Sequence, residues 1–214
     1  MRVVIAGGHG QIALLLEKVL ADRGHHAVGV VRNPDHVGDV EATGAEAVVL
    51  DLEKADVADL TDVVKGSDAV VFAAGGGPNS GAARKETVDK GAAVLLAEAA
   101  EQAGVRRYVM VSAMGTDRAD PDSDDVFQVY LRAKKAADDD LRSRDLDWTV
   151  VRPGRLTDNP PTGRIQVGTL PRGEISRADV AAVLAAVIEQ DATIGKTFDL
   201  LAGHQTVEAA LAGL

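Results

Sequence analysis

Six short apolar runs, each rich in β-branched residues, punctuate the chain: Val3–Ala6, Ala27–Val31, Ala47–Leu50, Ala69–Ala73, Tyr108–Val111 and Trp148–Val151. Runs this continuous fit strands buried on both faces of a parallel sheet. Helical patterns lie between most of them, over 11–23, 56–65, 82–103 and 124–144. A later one, over 177–190, begins at Ser176 with Asp179 three positions on, close to a capping box. Phe198–Leu201 reads as a late strand and 206–213 as a short closing helix. Such repetition predicts an α/β fold built on a doubly wound parallel sheet with helices on both faces. The length of 214 residues suits one domain over 1–214, and no low-complexity linker divides it.

Two stretches resist this pattern: 113–123, after the fifth run, and the proline-rich 152–174, after the sixth. Ligands of such sheets bind outside the carboxyl ends of the strands, so both are placed to form a substrate pocket. The substrate side is therefore assigned to 152–176 and 191–214, a small elaboration that suits a small or flat substrate.

The turn after the first run is glycine-rich: Ala6-Gly7-Gly8-His9-Gly10-Gln11-Ile12-Ala13. It reads as G-x-x-G-x-x-A through Gly7, Gly10 and Ala13, or as G-x-G-x-x-A through Gly8, Gly10 and Ala13. Missing side chains let the backbone turn tightly and approach a pyrophosphate, which then meets the free N–H groups and dipole of the following helix. In a strand–turn–helix context this predicts a Rossmann dinucleotide site at Gly7, Gly8, His9, Gly10, Gln11 and Ile12. Arg32 stands 22 positions beyond Gly10, where an NAD-specific site usually shows an acid. An arginine there pairs with a 2′-phosphate, so NADP is favoured over NAD, although nearby Asp35 keeps NAD open. Asp51 and Leu52 are placed to flank the adenine. Ala73, Ala74 and Gly75, after the fourth run, let the cofactor approach the backbone again.

Composition removes several alternatives. With 23 basic and 33 acidic residues the net charge is −10, which argues against a general nucleic-acid binder. Cysteine is absent, so disulfides, cysteine nucleophiles and thiolate metal sites are excluded. No apolar run reaches membrane-spanning length, and Met1-Arg2 leads straight into the first strand, so a cytoplasmic protein is expected. The five histidines lack ligand spacing, and no metal site is expected. A G-x-S-x-G elbow and the GK[ST] ending of a P-loop are both missing, against a hydrolase or an NTPase. Asp138-Asp139-Asp140 reads as a solvated outer face. A charged face there weakens helix-bundle dimerisation, and a monomer is slightly favoured over a homodimer.

Taken with AGGHGQIA, the strand-end VVR and FAAGG, the segments GVRRYVMVSAMG, YLRAK, LDWTVVRPGRLTD and ISRADVA resemble the short-chain dehydrogenase/reductase superfamily. The likeness is closer to its atypical, NmrA-like NAD(P)-binding branch and spans nearly the whole chain. It implies a serine after the fifth strand and a Tyr-x-x-x-Lys on the next helix as catalytic elements, matched by Ser112, Tyr130 and Lys134. Residues i and i+4 share a helix face, and an ammonium near a phenol lowers its pKa from about 10 towards a working acid or base. Tyr130 also falls in an apolar stripe with Val126, Ala133, Ala137 and Leu141, which suits a core residue equally. The resemblance further implies that Pro153-Gly154 packs beside the nicotinamide and that Arg155, Leu156 and Thr157 face substrate. Two features depart from the pattern. Ser112 and Tyr130 lie 18 residues apart, a longer separation than is typical, and Asp89 stands where the family has Asn. The implied function is an NADP-dependent oxidoreductase acting on a small carbonyl, quinone or flavin-like substrate. A non-catalytic NAD(P)-binding redox sensor and a nucleotide-sugar epimerase or dehydratase are the alternatives.

Overall fold

A computed structural model describes residues 1–77 and 80–214. The first half alternates as the sequence predicts: β1 (Arg2–Ala6), α1 (Gln11–Asp22), β2 (His26–Val31), α2 (Val37–Glu41), β3 (Glu46–Val49), α3 (Val57–Val64) and β4 (Ala69–Phe72). Then come α4 (Ala82–Arg84), π-helical turns over Lys85–Ala92, α5 (Ala93–Ala103), β5 (Arg107–Val111), α6 (Val126–Arg142) and β6 (Asp147–Pro153). The last third holds β7 (Arg155–Thr157), β8 (Arg164–Gly168), β9 (Glu174–Ser176), α7 (Arg177–Glu189), β10 (Lys196–Ala202), β11 (Gln205–Thr206) and α8 (Val207–Leu211).

Among the described residues nine strands form the main sheet, in the order β11-β8-β10-β6-β5-β4-β1-β2-β3. From β10 to β3 every neighbour is parallel, with Val4 of β1 opposite both Val28 of β2 and Val70 of β4. The antiparallel β8 and β11 extend the β10 edge, and β7 pairs with β9 in a separate parallel ribbon. Both faces of β1 are dry because both are covered. Leu16 and Leu20 of α1 and Leu184 and Val187 of α7 pack on one side, while Leu60 of α3 and Leu96 of α5 pack on the other. Burial of β-branched and leucine side chains at about 25 cal/mol per Å² is the main force holding these layers. The strand order reverses between β1 and β4, and the crevice beyond their carboxyl ends is where such sheets take ligands.

The segment 82–103, expected as one helix, is wound more widely over its middle. That winding carries buried Lys85 and Asp89 to the ligand side of the sheet. In 152–174, expected to be irregular, three short strands form. Ser176 caps α7 by accepting from the Asp179 amide, and the Asp179 carboxylate accepts from the Thr162 and Gly163 amides, pinning the preceding turn.

Glu17 of α1 is fully buried over Gly29, and its Oε1 has no hydrogen-bond partner among the described residues. Burial pushes its carboxyl up to about 8, with Thr43 offsetting this weakly. A carboxyl raised in the folded state holds a proton that the unfolded chain has released, so stability is full below the unfolded value of 4.5 and falls as pH rises towards 8. Glu17→Gln removes this dependence. In urea titrations at pH 6 and pH 8, the stability of the variant relative to the parent should rise by about 2 kcal/mol at the higher pH. An unchanged difference would show that Glu17 is ionised in the folded protein.

Candidate functional site

At the end of β1 the chain turns through Gly7, whose φ of +87° suits glycine, and an added Cβ there would stand 2.6 Å from Ala74 Cα. Gly8 donates its amide to Val30 O at 2.9 Å and lies so close to β2 that a Cβ would meet Gly29 Cα at 2.7 Å. Gly7 is therefore required by the turn and by Ala74, and Gly8 by the close approach of β2. Gly10 caps α1 with an ordinary backbone, and its Cβ would stand 3.1 Å from Gly7 O. No side chain caps α1 and no acid occupies its first turn, so the N–H groups of Gln11 and Ile12 stay open towards the crevice. This cradle fits a dinucleotide pyrophosphate by both shape and charge. His9 lines the neighbouring groove, 2.8 Å from Asp39 Oδ2 and stacked on His36 at 3.6 Å between ring centroids.

A groove of 250 Å³ runs from the cradle past Arg32, Asp51, Leu52 and Gly75. Desolvation pushes the Asp51 carboxyl up, but Lys54, the Glu53 amide and Arg32 together hold it below the usual carboxylate range. At the far end Arg32 Nη1 lies 3.2 Å from Glu53 Oε2, and Arg84 Nη2 lies 3.3 Å from the same oxygen. Thr87 donates to the other carboxylate oxygen at 2.7 Å. Two guanidinium groups thus share one carboxylate at this end of the groove. Arg84 was not foreseen from sequence, since its link to Arg32 exists only through the fold.

Ala73, Ala74 and Gly75 wall both this groove and a larger cleft of 1480 Å³. Ser112, Tyr130, Lys134, Pro153, Gly154 and Ile12 all line the cleft. From the expected substrate side, Arg155 and Leu156 line it too, whereas no residue of 191–214 does so. Instead Leu201 of β10 supports it from beneath, and a Cβ on Gly154 would come 2.4 Å from the Leu201 side chain.

The three residues matching the family's catalytic pattern converge on the cleft, with connections that the sequence did not reveal. Lys134 is buried, and its ammonium donates to the carbonyls of Ala74 and Val111, both at 3.2 Å, while Asp89 Oδ1 lies 3.4 Å away. Burial pushes the Lys134 pKa down, against the pull of Asp89 and Asp138. No hydrogen bond joins this ammonium to the Tyr130 phenol among the described contacts. The phenol pKa moves up rather than down: burial raises it first, and the negative charges of Asp89 and Asp138 add to the effect. The ammonium expected to favour phenolate is instead spent on carbonyl oxygens and Asp89.

Ser112 donates to Asp138 Oδ2 at 2.9 Å. Asp138 is fully buried, which corrects the expectation of a solvated Asp138–Asp140 face; only Asp139 of the three is exposed. The physical reason is Arg152 of β6, whose Nε and Nη2 reach Asp138 Oδ2 at 3.0 and 2.9 Å and whose other edge pairs with Asp117. Desolvation raises the Asp138 pKa against the opposing pull of Arg152 and Ser112. Lys85, Arg84 and the ion-pairing role of Arg152 are absent from the sequence reading and Asp138 is misplaced in it, whereas Asp89, noted there at the family's Asn position, is buried beside Lys134. Lys85 is buried, donates to Gly77 O at 2.6 Å and lies 5.3 Å from the centroid of the Tyr130 ring.

A family model described as NAD(P)H-binding matches residues 7–191. The chain is 35% identical to the uncharacterized sugar epimerase YhfK of Bacillus subtilis, over 99% of both chains. Among solved structures it resembles a putative NAD-dependent epimerase/dehydratase from Bacillus halodurans with a TM-score of 0.93, at 37% identity and full coverage of both chains. The oxidoreductase ylbE from Lactococcus lactis matches with a TM-score of 0.88 at 27% identity, over all of this chain and 96% of that one.

Proposed function

The chain belongs to the NAD(P)H-binding family, in the atypical short-chain dehydrogenase/reductase superfamily, and from that premise we propose that it is an NADP-dependent oxidoreductase reducing a small carbonyl, quinone or flavin-like substrate. The observation that carries this reading is the shared wall at Ala73–Gly75. It joins the glycine cradle to a cleft that Ser112 and Tyr130 line.

NADPH, when bound, supplies the reducing equivalent. The protein's part is positioning and proton supply. Tyr130 keeps its proton at neutral pH because burial and two nearby carboxylates disfavour phenolate. It is therefore a proton donor to a substrate oxygen as that oxygen gains charge, the reductive direction of the chemistry. Ser112, fixed by Asp138, turns an oxygen lone pair to the cleft and orients the substrate through a hydroxyl or bound water. Lys134 ties the ends of β4 and β5 together, holding the cleft floor at Ala74 and Val111. Pro153-Gly154 supplies a backbone wall on the opposite side.

We read residues 1–214 as one cofactor-binding domain acting as a cytoplasmic monomer on a small-molecule substrate, without nucleic acid or membrane. None of the described helices is long and apolar enough to cross a membrane. The similarity to the sugar epimerase YhfK and to the Bacillus halodurans epimerase/dehydratase favours a second reading, an epimerase or dehydratase that oxidises no cofactor in net terms.

A screen of quinones, flavins, aldehydes and sugar nucleotides separates these readings by loss of nicotinamide absorbance. Sustained NADPH oxidation with one acceptor class is expected. Conversion of a sugar nucleotide without net oxidation would replace the proposal by the epimerase reading, and binding of NADPH without any turnover would replace it by a sensor.

Arg32 and Arg84 carry the cofactor preference. NADPH should raise the melting temperature more than NADH does, and Arg32→Ala with Arg84→Ala should weaken NADPH binding by about tenfold or more while leaving NADH unchanged. Equal shifts by both cofactors in the parent protein would remove the 2′-phosphate assignment.

A further inference from the structure

The cleft carries a charge pattern at odds with the rest of the molecule. The protein has a net charge of −10, yet among the described residues six cationic ones line the cleft and only two acidic ones, Asp89 and Glu174. Three of the cations are neutralised locally: Lys134 by Asp89, Arg155 by Glu174 and Arg177 by Asp158. Lys85, Arg118 and Arg172 have no carboxylate partner among the described residues. Lys85 is 5% exposed and bonds only to a backbone carbonyl. Of the 23 lysines and arginines, only Lys65, Arg118 and Arg172 have neither an ion pair nor a side-chain hydrogen bond among the described residues, and two of these three line the cleft.

The second observation is apolar. Val126 and Phe127, at the start of α6, are 43% and 58% exposed, and both line the same cleft. The Phe127 ring lies 6.0 Å from that of Tyr130. In a chain with 3% aromatic residues, two of them converge at this one mouth.

Resting on the oxidoreductase reading, we infer that the substrate is an anion: a planar, conjugated body that lies against Phe127 and Tyr130 and carries a carboxylate or similar oxyanion held by Arg118 and Arg172. Cations on the walls of a low-dielectric cleft focus the field inward and draw an anion past the negative outer surface. Guanidinium groups without internal partners are free to bind an oxyanion in the two-pronged geometry that such groups favour. The buried Lys85 adds a third positive charge deeper in, beside the Tyr130 ring. It stabilises negative charge on a substrate oxygen at the point where Tyr130 delivers its proton.

A matched pair of fluorescent probes tests this without turnover: anilinonaphthalene sulfonate and its uncharged parent anilinonaphthalene, titrated into the NADPH-saturated protein at low salt. The sulfonate should bind about tenfold or more tightly than the parent, and added salt should narrow the gap. Arg118→Ala with Arg172→Ala changes two exposed side chains, so the fold is kept. It should erase the gap while leaving the parent's affinity unchanged. Phe127→Ala should weaken both probes alike. Equal affinities in the parent protein, or a gap that survives in the double variant, would overturn the inference. NADPH affinity measured on the same samples separates this failure from failure of the proposed function, because probe discrimination does not require the cofactor reaction.

Discussion

Tyr130→Phe lowers NADPH-dependent turnover by about 10³-fold, within the range that loss of a positioned proton donor produces, and leaves NADPH affinity unchanged. The variant is clean because the phenol makes no hydrogen bond to a described protein group, so removing its oxygen strands no partner. Helix α6 keeps its apolar stripe, and urea denaturation should give the parent midpoint. The surroundings of the phenol also set a pH profile. Burial, Asp89 and Asp138 all raise its pKa above the ordinary value, so the proton stays on the oxygen across the neutral and mildly alkaline range. Turnover of the parent protein should therefore show no alkaline loss from this group below about pH 10. An unchanged rate in the variant would make Tyr130 a packing residue, as its place in the stripe with Ala133 and Ala137 also permits.

Gly10→Glu abolishes cofactor binding, with an expected loss of NADPH affinity of 10²-fold or more, about 3 kcal/mol. Gly10 has an ordinary backbone with φ −65°, so a side chain is conformationally allowed there, although its Cβ stands close to Gly7 O at 3.1 Å. A carboxylate at the start of α1 meets the positive end of the helix dipole, so the helix itself loses nothing. What it displaces is any other anion at the open amides of Gln11 and Ile12. Fluorescence titration with NADPH and a urea midpoint on the same sample separate the two effects. A variant that folds and still binds NADPH would refute the cradle.

The strand–turn–helix cradle was legible in the sequence because its reasons are local. Gly7 turns the chain with a positive φ directly between β1 and α1, which is written in the local glycine pattern, while the close approaches of Ala74 to Gly7 and of Gly29 to Gly8 come from β4 and β2; continuous β-branched runs mark strands covered on both faces. Asp138 was misread for the opposite reason. Three consecutive aspartates look solvated by composition, and the charge that permits burial of the first, Arg152, arrives from another strand. One signal was present all the same: Asp138 lies four residues after Lys134 and eight after Tyr130, on the face of α6 that points to the cleft. Asp89 and Lys85 follow the same logic, four residues apart on one helical face, yet the wide winding between α4 and α5 that aims them inward left no mark in the residue pattern. Strands β7 to β9 were missed because they are short and their pairing is set by the turn at Asp179 and by β10, not by their own periodicity. Arg84 shows how far pair-level detail depends on the fold, since only Glu53 between it and Arg32 reveals their common end of the groove.

The most direct measurement is a crystal structure of the protein with NADPH. The pyrophosphate is expected on the amides of Gln11 and Ile12, the 2′-phosphate between Arg32 and Arg84 with Glu53 displaced, and the nicotinamide beyond Ala73–Gly75, facing Ser112 and Tyr130. A cofactor that leaves the Arg32–Glu53–Arg84 contacts intact, or whose nicotinamide lies outside the cleft, would contradict it.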